Sequence, residues 1–190
     1  MMRIGLGLLC VLFYWGCSLS GNDGLPTPPD RQVNQDDPHL YQLQGLWRYN
    51  GKVFSGYIIQ EQPNNHILIS KTPIIEGLTT GKVLGFFENG HKLLEQSLVR
   101  DRQEGAYIQW WRNGQCRYQF FYKDDQYDGK QKAFFENGRL REEANYSAGK
   151  LDGLQRVWDE KGQLISNYTI RNNKVYGIIS VESCIPGAKH

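Results

Sequence analysis

The 190-residue chain carries 22 Lys and Arg against 20 Asp and Glu, scattered along its length rather than clustered. That balance excludes both the basic stripe a nucleic-acid partner calls for and the basic cluster that draws a chain to anionic lipid. Aromatic residues make up 13% of the chain, and their large rings supply buried area for one domain with accessory segments.

In chain order, Met1-Met2-Arg3 and the apolar run Ile4–Trp15 read as a secretory signal. The run falls short of the roughly 20 residues a bilayer span needs. It ends in Gly16-Cys17, which resembles a bacterial lipoprotein signal. The resemblance implies cleavage after residue 16, lipidation of Cys17 and a membrane anchor in the cell envelope. An ordinary signal peptide cut nearby, or an uncleaved anchor, is the alternative. Residues 17–40 hold Pro26, Pro28, Pro29 and Pro38 among few apolar side chains. They read as a flexible tether, extended by proline and kept loose by glycine.

Residues 41–184 are the repeat domain, with 185–190 as a polar tail. Gly81, Gly105, Gly129, Gly153 and Gly177 recur every 24 residues, and a fixed period of that length signals an array of supersecondary units. Each unit carries a turn at one offset: Glu88-Asn89-Gly90, Arg112-Asn113-Gly114, Glu136-Asn137-Gly138 and Glu160-Lys161-Gly162. The stretch 57–80 fits the frame in degraded form, with Asn65-His66 in place of Asn-Gly, and Pro73 predicts an edge or irregular strand. Gly45–Gly56 is a compressed unit that reads as one short hairpin opening the array.

Each full unit predicts a strand, a three-residue turn closing on a left-handed glycine, a second strand and a looser turn. That pattern places Phe86, Trp110, Phe134 and Trp158 on one face with Leu94, Leu98, Tyr118, Phe120, Tyr122, Leu140, Tyr146, Leu164, Tyr168 and Ile170. Phe87, Trp111 and Phe135 then point to the other, wetter face. With Arg112, Arg117, Arg139 and Arg141 near its rim, that second file is the candidate partner-binding surface. Cys116 and Cys184 fall three repeats apart in register, roughly 30 Å at 4.8 Å per strand. A disulfide needs a Cα separation of about 6 Å, so no bridge between these two is expected.

The recurring G-x4-(F/W)-(F/W)-x-N-G, followed by a strand and then Tyr/Phe-x4-5-(D/E)-G, resembles the variant MORN repeat of the bacterial YwqK-type antitoxin proteins. Residues 134–158 lie closest, with Glu136-Asn137-Gly138, Tyr146, Gly149-Lys150 and Asp152-Gly153 on family positions. The resemblance implies an all-β, elongated antiparallel meander of stacked hairpins. It also implies a protein- or membrane-binding scaffold, or the antidote half of a toxin–antitoxin pair. Export favours the tethered scaffold.

Catalytic chemistry finds little footing. No G-x-S-x-G, H-E-x-x-H or phosphate-binding loop occurs. His66 and His91 sit at turns without cysteines at ligand spacing. Asp or Glu before the repeat glycines is turn chemistry. The expectation is a non-enzymatic chain with no cofactor and no metal, whose partners are a protein and, through the lipid, a membrane.

Overall fold

The computed structural model describes residues 24–178. The expected signal segment, Cys10, Cys17, Cys184 and the expected tail lie outside them. The chain opens with β1 (Gln32–Asn34), β2 (Leu40–Leu43), β3 (Leu46–Tyr49) and β4 (Lys52–Val53). The array follows as β5 (Gly56–Glu61), β6 (Leu68–Ile75), β7 (Leu78–Thr79), β8 (Gly81–Phe86), β9 (Lys92–Val99) and β10 (Arg102–Trp110). It continues as β11 (Cys116–Lys123), β12 (Gln126–Tyr127), β13 (Gly129–Phe134), β14 (Leu140–Ser147), β15 (Lys150–Trp158), β16 (Leu164–Arg171) and β17 (Lys174–Ile178). From β5 to β17 the long strands follow one another in one antiparallel sheet, an all-β meander, with the short β7 and β12 pairing back on β6 and β11. Only β1 pairs parallel, against β5.

The Asn-Gly turns take the three-residue form. Gly90, Gly114, Gly138 and Gly162 lie at φ between 80° and 87°, and each donates its N–H to the residue three before it. Asn89, Asn113 and Asn137 accept through Oδ1 from the N–H two residues on, at 2.9–3.1 Å. Lys161 cannot do this, and Asp159 Oδ1 accepts from Gln163 N instead, at 2.8 Å. In the degraded first unit His66 occupies the glycine position at φ 56°. A side chain there is strained by about 1 kcal/mol. We therefore expect His66→Gly to stabilise the protein by about that much, read as a raised denaturation midpoint.

The turns at the opposite edge are tighter than the sequence reading of them. Glu76-Gly77, Arg100-Asp101, Asp124-Asp125, Ala148-Gly149 and Asn172-Asn173 all have both central residues at positive φ. These are two-residue turns whose twist matches that of the strands they join. Asp101 and Asp125 make the geometry hold: their Oδ1 atoms accept from Thr79 N and Gln103 N, each at 2.6 Å.

At Gly81, Gly105, Gly129 and Gly153 the strand breaks or bulges, with φ between 79° and 121°, whereas Gly177 pairs with Tyr168 in an unbroken ladder. At Gly81 a Cβ would also meet the Pro73 ring at 3.0 Å, so only glycine fits. Each break deprives the facing residue of its ladder partner, and the chain solves this in two ways. Gln131, buried, accepts from Phe121 N at 2.7 Å and donates to Phe121 O at 3.0 Å. One repeat later Gln155 does the same for Asn145, at 3.2 and 3.0 Å. In the first unit the facing residue is Pro73, which has no N–H to satisfy, and Val83 stands where the glutamines do. Pro73 thus sits inside the sheet, at an irregularity rather than an edge.

The N-terminal segment is docked, not loose. Pro28, Val33 and Leu40 are buried, and Tyr57 N donates to Arg31 O at 2.6 Å beside the β1–β5 ladder. Val33, Leu40, Phe54, Ile58 and Ile74 form one core, with Trp47 and Tyr49 against it. Prolines suit such a segment because they dock side chains while making no demand on ladder donors. A flexible tether therefore does not extend through residues 24–40. The β3–β4 hairpin at Asn50-Gly51 exists as expected, but it belongs to a separate three-stranded sheet. It caps the array by accepting and donating hydrogen bonds around Gly77 rather than serving as its first rung.

Candidate binding face

A second irregularity decides which side chains share a face. In each of these hairpins the register slips just before the aromatic of the file: Gly85 faces Leu94 but Phe86 faces Lys92. The same slip separates Gln109–Tyr118 from Trp110–Cys116, Ala133–Glu142 from Phe134–Leu140, and Val157–Ser166 from Trp158–Leu164. The extra residues are Leu93, Arg117, Arg141 and Ile165. Because opposed residues in a ladder share a face, the slip reverses the expected parity. Phe86, Trp110, Phe134 and Trp158 do form a file, but on the face away from Leu94, Tyr118, Phe120, Tyr122 and Tyr146.

The file's own face is the charged one. There Glu95 meets Lys92 at 3.0 Å and Lys82 at 3.2 Å. Two repeats on, Glu143, its side chain only 7% exposed, meets Arg156 at 2.6 Å and Lys130 at 3.5 Å. Burial works against both carboxylates, but their cationic partners outweigh it and hold both pKa values below the ordinary 4.5. A depressed carboxylate contributes stability that is complete above its ordinary value and is lost as pH falls through its lower, folded value. Stability should therefore decline below about pH 4.5, and Glu143→Gln should flatten the decline in a denaturation series from pH 6 to 3.

The other face carries the tyrosines. Tyr118 and Phe120 stack with centroids 5.0 Å apart, Tyr107 and Phe120 at 6.1 Å, and Tyr122 against Tyr127 at 4.8 Å. Tyr127 continues to Tyr146 at 5.1 Å. Burial raises the pKa of Tyr107, Tyr122 and Tyr146, so these hydroxyls stay protonated donors.

Of the predicted binding residues, Phe87, Trp111 and Phe135 are half-buried. The Arg112 guanidinium lies 5.2 Å from the Phe87 centroid. Arg117, an inserted residue, sits 4.3 Å from Trp111 and 5.0 Å from Tyr118, and its Nε makes no hydrogen bond. Arg141 also reaches Tyr118, at 5.9 Å from its centroid. The structure thus joins Trp111, Arg117 and Arg141 to the tyrosines, which the sequence reading assigned to the opposite face. Arg139 is spent elsewhere, donating to Glu160 O of the next turn at 2.9 Å.

Two hollows flank this constellation. One, of about 100 Å³, is lined by Phe120, Tyr127, Gln131, Arg141 and Tyr146. The other, of about 680 Å³ at the Asn-Gly edge, is lined by Pro63, Ile69, Phe87, Leu93 and Arg112 among others. Among the described residues no group of three or more His, Cys, Asp or Glu side chains is placed to hold a metal ion.

The strand–turn–strand unit with these bulges coincides with a known repeat: residues 103–124 and 127–148 match the MORN repeat variant. These two units are MORN repeats. The MORN units hold Trp111, Arg117 and Arg141 and all the stacked tyrosines named above. Comparison of the whole chain with curated proteins finds no match. MORN repeats often mediate binding to proteins or membranes, which supports a scaffold role.

Proposed function

We propose that the chain is a non-catalytic, protein-binding scaffold of the cell envelope, held to a membrane through lipid on Cys17. Its tyrosine–arginine face is the contact surface. The observation that carries this is the composition of that face. Tyr, Trp and Arg are the residues that dominate interface energetics, because rigid rings and planar guanidinium groups lose little entropy on contact. Here the Arg117 guanidinium already lies against both Trp111 and Tyr118, with an Nε that makes no hydrogen bond, beside half-exposed rings.

A photoreactive residue at Trp111 is expected to crosslink one protein partner in intact cells, while the same residue at Trp158 on the opposite face does not. Arg117→Ala should weaken that partner's binding by about 30-fold or more, the loss of a hot-spot contact. Equal crosslinking from both positions would remove the face from the proposal. A toxin recovered at Trp111 would instead assign the antidote role implied by the YwqK-type resemblance.

A further inference from the structure

The cations of the sheet divide by face. On the face of the Phe86–Trp158 file they have carboxylates: Lys82 and Lys92 meet Glu95, and Lys130 and Arg156 meet Glu143. On the tyrosine face Arg117 and Arg141 make no ion pair among the described residues. Rings hold them instead. Both lean on the Tyr118 ring, and Arg117 also lies 4.3 Å from Trp111 with an Nε that makes no hydrogen bond. A half-buried guanidinium fixed on aromatic rings, with no carboxylate of its own, is a prepared site for an anion.

The two arginines are the inserted residues of consecutive hairpins, and their strands, β11 and β14, stand two places apart. Two strand spacings come to about 9.6 Å. The same position one repeat to either side holds Leu93 and Ile165, the latter 43% exposed. Across the strands the row therefore runs Leu, Arg, Arg, Ile. A chain laid along it must present two acids about 9.6 Å apart on one side, with an apolar residue beyond each. In a β-strand the third residue on lies at about 10 Å, but on the opposite side. Polyproline II has three residues per turn and rises about 3.1 Å per residue, so every third side chain returns to one side after about 9.3 Å. An α-helix returns at the seventh residue, after about 10.5 Å, and its carbonyls are already bonded.

The polar groups of the face favour the polyproline form. Tyr107, Tyr122 and Tyr146 offer hydroxyl donors beside the two guanidinium groups, while Gln131 and Gln155 spend their acceptors on the backbone. A proline-rich segment brings free carbonyl acceptors and few N–H groups, and its stiffness costs little entropy on an aromatic surface. The hollow of about 100 Å³ lined by Phe120, Tyr127, Arg141 and Tyr146 suits one small ring rather than the flank of a helix. We propose that the partner's contact segment is a proline-rich polyproline II stretch with two acids three residues apart, one on Arg117 and one on Arg141. Apolar residues at the same interval on either side rest on Leu93 and Ile165. This rests on the tyrosine–arginine face being the contact surface. Glu142 lines the same hollow and disfavours further acids in the segment.

The test uses the full chain and fluorescent peptides of one composition, built on Leu-Pro-Pro-Glu-Pro-Pro-Glu-Pro-Pro-Ile, with the glutamates also moved to intervals of two and four. In an anisotropy titration the interval of three should bind at least about tenfold tighter than either alternative. Arg141→Glu should weaken that peptide by a similar factor. Replacing one of its two glutamates by arginine should restore binding to this variant, which shows at once that the variant is folded and which way the chain runs. Lys92→Gln, on the opposite face, should change nothing. Equal binding at all three intervals, rescue by neither replacement, or no binding at roughly 1 mM overturns the proposal. So does tighter binding of a helical peptide with its glutamates seven residues apart. Crosslinking at Trp111 reports the face separately. A partner captured there whose contact segment lacks the interval of three defeats this inference and leaves the contact surface standing, whereas no partner at Trp111 defeats the surface itself.

Discussion

Phe54→Ala is expected to cost about 3–5 kcal/mol, the range for emptying a fully buried phenylalanine site, and to free the N-terminal cap before the array melts. Phe54 is 1% exposed and stands where three segments meet: Val33 from the docked leader, Ile58 from the first rung and Ile74 from the second. Its ring takes an edge contact from Tyr49 at 6.1 Å and lies 5.6 Å from the Arg31 guanidinium. Its backbone joins the two sheets, with Phe54 N donating to Trp47 O and Phe54 O accepting from Gly77 N. The small sheet has no other core to fall back on. A stack of repeats unfolds by parts, each unit stabilised by its neighbours, so the loss should be local. The measurement is limited proteolysis combined with urea denaturation. New cleavage between residues 24 and 56, with residues 103–148 still protected, is the expected pattern. A single unchanged transition without new cleavage would mean that the cap does not depend on this ring.

Much of this architecture was legible because turn chemistry repeats in the sequence at a fixed interval. Asn89, Asn113 and Asn137 announce the three-residue turns, and the array follows from them. The faces were not legible, for a definite reason. The inserted residue that reverses parity is Leu93, Arg117, Arg141 or Ile165, and these side chains share no chemistry. The bulge is set by the backbone that follows the left-handed glycine, so the sequence carries no mark of it. The two-residue turns hid in a similar way. Arg100-Asp101 and Ala148-Gly149 adopt one geometry from unlike residues, and the help Asp101 gives Thr79 N comes from a neighbour 22 positions away. Trp111 and Arg117 were identifiable as a pair, whereas their junction with Tyr118 required the register. The docked N-terminal segment escaped notice because composition reports how many apolar side chains a segment has, not whether each one finds a socket, as Val33 and Pro28 do.

Gln131→Leu should destabilise the protein by about 2–3 kcal/mol, although leucine fills a similar volume and suits a buried strand. The side chain is 4% exposed, and its Oε1 is the acceptor for Phe121 N at 2.7 Å. Its Nε2 donates to Phe121 O at 3.0 Å and to Asp128 O at 3.2 Å. Leucine would leave the Phe121 N–H buried without a partner and remove one of the bonds to its carbonyl. Such an orphaned group costs about 1–3 kcal/mol. Asp128 N still donates to Phe121 O at 3.0 Å, so the carbonyl contributes the smaller share. Gln155→Leu should cost a similar amount, since Asn145 N and O depend on Gln155 in the same way. The first unit supplies the decisive control. There Pro73 and Val83 occupy the paired positions and nothing is left unsatisfied. Adding Asn145→Pro to Gln155→Val should therefore recover part of the loss, because the proline deletes the donor that valine cannot satisfy. The double variant also forfeits the Asn145 side-chain bond to Leu154 O, so recovery will be incomplete. Denaturation midpoints of the two single variants and the double decide the matter. A double variant less stable than the sum of its parts would show that the glutamines act by filling space, not by replacing the missing rung of the ladder.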